Sequence, residues 1–197
     1  MQPIDICNMA LASLGQAPIN ALDEQSERAR RVSLFYEPAR TELLRMHDWS
    51  FARRTEPLSE AKLPETENPK PLGVAYQYPA GAMYVTRVFV PGRGREKIPF
   101  EEFYGATGAK KYLVCPAKEA YAQYTQDVKD ANLFPPDFAN TLAELLAAKL
   151  AMTLTADVNL AQLAHQKFLL ALDAARLANK NETLEFVPMR SRFLEAR

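Results

Sequence analysis

The sequence predicts an α+β fold: a helical bundle made from both ends of the chain, an inserted β-rich module, and an extended C-terminal tail. Three observations predict it. Apolar residues recur at helical spacing near both ends. Six of the seven glycines, and most of the prolines, fall between Pro57 and Pro116. After Asn181 the periodicity stops while apolar residues continue. The expected parts are a discontinuous helical domain (1–50 and 130–181), a β-rich insertion (51–129) and a C-terminal arm (182–197). An insertion is favoured over two independent domains because neither helical pair alone offers much core.

The first helix carries Ile4, Cys7, Leu11 and Leu14 on one face. Gly15 stands where a left-handed cap is wanted, and Gln16-Ala17-Pro18 breaks the helix. A long helix is expected from about Glu24 to Met46, with Asp23 as N-cap and a stripe of Ala29, Val32, Tyr36, Ala39, Leu43 and Met46. Pro38 lies inside it, which predicts a kink or two helices in sequence. The strand candidates are 74–78, 83–90, 97–100, 110–115 and 120–125, with 83–90 the richest in β-branched and aromatic residues. Residues 56–71 read as a loop or extended arm. Pro135-Pro136 suits the first turn of a third helix carrying Phe138, Leu142, Leu145, Leu146 and Leu150. Asp157 is placed to cap a last helix, in which Leu160, Leu163, Ala164, Phe168, Ala171, Leu172 and Ala175 are expected to face inward and Asn179-Lys180-Asn181 to mark the end.

Composition narrows the function classes. The 197 residues are 48% apolar, and 24 basic residues balance 24 acidic ones. A neutral chain has no global attraction for nucleic acid or an anionic membrane, so any DNA contact needs a local patch. No apolar run reaches the roughly 20 residues of a membrane span. The N-terminus has no basic leader and carries Asp5, which predicts no signal peptide and synthesis in the cytoplasm. Cys7 and Cys115 lie outside any metal spacing and read as free buried thiols.

No catalytic constellation emerges, so the chain reads as a non-enzyme with no catalytic residues, no metal and no cofactor. His47 and His165 lack a carboxylate or cysteine at ligand spacing. The first reads as a helix-end residue and the second as solvated. Pro91-Gly92-Arg93-Gly94-Arg95 lacks the spacing of a phosphate loop and reads as a hairpin turn. Arg53, Arg54, Arg93, Arg95, Lys110 and Lys111 are the least compensated basic residues and are candidate contacts to DNA phosphates, although such pairs are also ordinary surface. In the tail, Phe186, Val187, Met189, Phe193 and Leu194 are interleaved with Arg190, Arg192 and Arg197. Apolar anchors with arginines are enriched at binding hot spots, so the five apolar residues are candidates for docking on a partner or a neighbouring copy.

A family resemblance rests on packing motifs in order. Ala10-Leu11-Ala12-Ser13-Leu14-Gly15-Gln16-Ala17-Pro18-Ile19 leads through Leu22-Asp23-Glu24 and a charged helix to Leu43-Leu44-Arg45-Met46-His47-Asp48-Trp49-Ser50-Phe51. The run Tyr121, Tyr124, Val128, Asp130, Phe134, Phe138, Leu142, Leu146 and Leu150 follows, and Phe193-Leu194-Glu195-Ala196-Arg197 closes the chain. Over 1–54 and 118–197 this resembles tail tubular protein A, the head-to-tail adaptor (gatekeeper) family of short-tailed bacteriophages. The resemblance implies a virion protein at the head–tail junction that forms a closed ring, usually a dodecamer. The ring would join the portal protein to the tail nozzle or tube and leave a channel through which DNA passes without sequence-specific contact. Two competing readings remain. A nucleic-acid-binding helical protein would need an arginine-rich recognition helix, which the charge-balanced second helix does not offer. A virion-associated hydrolase would need a catalytic set.

Overall fold

The computed structural model describes residues 1–63, 68, 73–92, 97–106 and 108–182. Helix α1 (Pro3–Ser13) opens on a proline whose missing N–H would be unpaired anyway. It ends at Leu14, after which Gly15 takes φ +66°, a left-handed turn that a side chain resists. The Gln16 N–H then donates to Leu11 O at 2.9 Å, closing the helix end.

Helix α2 (Glu27–Met46) starts later than its charge pattern predicts. Residues 20–24 are drawn into a turn, in which the Asn20 N–H donates to Glu24 Oε2 at 2.9 Å. Ser26, rather than Asp23, caps the helix, its Oγ accepting from Ala29 N–H at 3.2 Å. The helix runs on through Pro38 as one element. Pro38 and Leu34, the residue whose carbonyl loses its partner, both lie on the exposed side, where the orphaned oxygen is open to solvent.

Six strands follow among the described residues: β1 (Arg53–Pro57), β2 (Val74–Gln77), β3 (Ala82–Phe89), β4 (Glu101–Tyr104), β5 (Lys111–Cys115) and β6 (Tyr121–Gln126). They form two antiparallel three-stranded sheets, ordered β1-β6-β3 and β2-β5-β4. Bridges between Glu60 and Tyr76 and between Val88 and Ile98 join the sheets at both edges. The strands thereby close around an interior of Leu58, Tyr76, Val85, Val88, Leu113 and Ala122. Strand β1 was not foreseen. The stretch 97–100 contributes only the Ile98 bridge, because Pro99 has no N–H for a ladder, and the strand forms at 101–104 instead.

Helices α3 (Pro136–Thr155) and α4 (Val158–Glu182) complete the bundle. Asp157 Oδ1 caps α4, accepting from the N–H groups of Asn159 and Leu160. Helix α3 is central, with ten buried residues, and packs against α1, α2 and α4. Lys149, which breaks its apolar stripe, turns outward to Glu42 at 2.6 Å. Helix α4 departs from expectation twice. It continues through Glu182, because Asn179 is buried against the end of α2. Leu163 also points outward, 47% exposed. The fold is therefore α+β, with four α-helices and two small antiparallel sheets among the described residues.

Candidate functional site

The chain passes between bundle and strands twice, at α2–β1 and at β6–α3, and the most specific side-chain chemistry gathers at these crossings. Arg40 stands one turn beyond Tyr36 on the apolar stripe of α2 and is only 1% exposed. Burying a guanidinium requires partners for its donors. Nε and Nη2 both donate to Glu37 Oε2, at 3.1 and 2.8 Å. Nη1 donates to Asp127 Oδ1 at 2.6 Å and to Val128 O at 2.7 Å. Asp127 and Val128 directly follow β6, so Arg40 clamps the exit of the strands onto α2.

The entry crossing is held by aromatic packing. Trp49 is buried and its Nε1–H donates to Leu43 O at 2.8 Å. Its ring meets Phe138 edge-on at 5.1 Å, and Phe51 and Phe134 pack on the same Phe138 at 4.8 and 4.9 Å. Residues from both crossings thus share one cluster. Tyr84 of β3 adds a hydroxyl bond to His47 O at 3.4 Å and lies under the Arg45 guanidinium.

Beside it, α4 is tied to the end of α2. Asn179 Oδ1 accepts from Ser50 N–H at 2.8 Å, and Asn179 Nδ2 donates to Asp48 O and to His47 Nε2, the latter at 3.0 Å. Arg176 donates to Met46 O at 3.0 Å. As an acceptor, His47 Nε2 carries no proton, so the ring is neutral with its proton on Nδ1. Burial, with Arg176 nearby, holds the His47 pKa below the ordinary value of 6.5. The Asp48 carboxylate opposes this, while Lys180 and Arg53 act with Arg176.

The candidate DNA contacts divide. Arg53 pairs with Asp48 at 3.0 Å, and Lys111 pairs with Glu102 at 2.5 Å and lies over the Tyr78 ring. Their charge is already answered within the chain. Arg54 and Lys110 are exposed. Arg93 and Arg95 lie outside the described residues, as do the docking candidates Phe186, Val187, Met189, Phe193 and Leu194. Cys7 and Cys115 are buried free thiols, and His165 is exposed. Burial pushes the Cys7 thiol up to about 12.

Between α2, α3 and α4 runs a groove of about 450 Å³, with Met46, Leu145, Phe168 and Leu172 in its walls and Arg176 at its rim. Among the described residues no cluster of three His, Cys, Asp or Glu is placed to hold a metal, and no helix is long and apolar enough to cross a membrane. Sequence reasoning missed Arg40, Asp127 and Asn179. Arg40 had a signal, since it interrupts an apolar stripe. The contacts of Asn179 had none, because they span more than a hundred residues. No protein-family model matches the chain, and no curated protein matches it at a significant level.

Proposed function

We propose that this protein is a ring-forming head-to-tail adaptor of a bacteriophage. It joins the portal to the tail and leaves a channel for DNA. The supporting observation is where the motifs of the resemblance fall in the fold. Leu11 and Leu14 from the first motif, Leu43 and Trp49 from the second, and Phe134, Phe138, Leu142 and Leu146 from the return all belong to one core. Motifs that are weak singly are packed against one another, so their order along the chain encodes one unit.

The role fits the mechanics of that unit. Subunits of a ring transmit force between head and tail, and a hinge between bundle and strands would absorb it. Arg40 and the Trp49–Phe138 cluster hold both crossings instead. In this reading the balanced charge lets DNA slide rather than bind. Each copy presents one face to a different face of the next, a heterologous contact that closes. The C-terminal arm docks on the portal or on the neighbour through Phe186, Val187, Met189, Phe193 and Leu194. Electron microscopy of negatively stained protein, alone and mixed with the portal of its phage, tests the reading. Closed rings coaxial with the portal are expected. Dispersed monomers in both samples would refute it.

A further inference from the structure

Helix α4 carries a second apolar face that the described residues of its own chain leave exposed. Ala164, Phe168, Leu172 and Ala175 bury its inner side. Leu163, Leu170 and Leu177 lie roughly 160° around the axis from them, at 3.6 residues per turn. They are 47, 73 and 62% exposed. A seven-residue leucine repeat drifts only about 20° per repeat, so the three form a straight seam. A solvated helix face would carry polar residues here, and single exposed leucines are ordinary, but a seam of three is a packing surface.

We propose that the seam pairs with the same seam of a second copy, antiparallel, about a two-fold axis at Leu170. The residues beside the seam select this partner. A two-fold axis at Leu170 sets Leu163 opposite Leu177 of the other copy and Leu170 opposite itself. On one flank Gln166 comes level with Asp173 of the second copy, an amide donor against a carboxylate. On the other flank Lys167 comes level with Ala174, whose small side chain leaves room for the lysine stem. No two like charges meet at one level: the two copies of Lys167, and likewise the two of Asp173, stand about 9 Å apart along the axis at 1.5 Å per residue. A parallel pair would instead hold Lys167 level with Lys167, and Asp173 level with Asp173, across the seam. One seam of three leucines is smaller than a permanent interface, so the pair is reversible and grows with concentration. It is isologous, does not by itself build a ring, and is independent of the proposed function.

Sedimentation and cysteine crosslinking of the full chain test this. Wild-type protein should shift from monomer toward dimer as concentration rises. Leu170→Lys should stay monomeric with an unchanged unfolding midpoint, since the side chain it replaces is exposed. Under mild oxidation Leu170→Cys should crosslink to itself. Leu163→Cys and Leu177→Cys should crosslink poorly alone and efficiently when mixed. Cys7 and Cys115 are buried and should contribute little background. Three results would overturn the proposal: self-crosslinking of Leu163→Cys and Leu177→Cys but not of their mixture, association that survives Leu170→Lys, or association that is lost only on deleting 183–197. Rings on the portal formed by a protein that is otherwise strictly monomeric would also sink it, while leaving the adaptor reading intact.

Discussion

Trp49 is the residue on which the aromatic cluster turns. It fills the space between α2 and Phe138 and spends its one donor on Leu43 O. Trp49→Ala should therefore cost roughly 3–5 kcal/mol, the range for removing a large buried aromatic. Urea unfolding measures this directly, and an unchanged midpoint would contradict the assignment. Trp49 stands in one of the packing motifs read from the sequence, which made its burial legible, whereas nothing near His47 announced its contact with Asn179. Burial of the His47 ring, with Arg176 nearby, makes stability depend on pH. The folded pKa of His47 lies below 6.5, the value expected in the unfolded chain. Between the two values the unfolded chain holds a proton that the folded protein excludes. The His47 contribution is therefore whole above 6.5, falls as pH drops through that value, and stops changing below the folded pKa. His47→Gln should flatten this part of the stability–pH curve, as read by denaturant midpoints across the acid range. An equally steep curve in the variant would place the titration elsewhere.

The elements that were legible are those whose signal is local. Helices α1, α3 and α4 declare themselves by apolar spacing and by caps such as Asp157, all within a few residues. Strand β1, Arg-Arg-Thr-Glu-Pro, has no β-rich composition and exists because β6 pairs with it residue by residue from Arg53–Thr125 to Pro57–Tyr121. Leu163 was misplaced for a related reason: an apolar residue on a helix does not state whether its own subunit covers it. The end of α3 shows local chemistry at odds with local geometry. Ala156 takes φ +51° there, a left-handed conformation that strains any residue with a Cβ. Ala156→Gly should relieve that strain and stabilise the protein by about 1 kcal/mol, less the extra freedom it gives the unfolded chain. A lowered thermal midpoint in this variant would mean that the methyl group packs better than its exposed position suggests.

At the scale of the molecule, the question is what the C-terminal arm adds to a subunit whose helices already meet one another. The end of α4 is fixed before the arm begins. Asn179 is hydrogen-bonded to Ser50 and Asp48, and Glu182 Oε2 accepts from Ser50 Oγ at 3.5 Å. Because α4 extends through Glu182, the proposed arm comprises residues 183–197, which lie outside the described residues. Its apolar residues alternate with arginines, the composition of a binding segment rather than of a solvated tail. If the arm serves attachment, deleting 183–197 should leave the unfolding midpoint of the isolated subunit nearly unchanged and abolish its capture by the portal. If it instead folds back over its own helices, the same deletion should destabilise the subunit by several kcal/mol, since burial at home needs no partner. Thermal unfolding and portal pull-down on the one variant separate these outcomes, and a destabilised subunit or intact capture would rule the docking arm out.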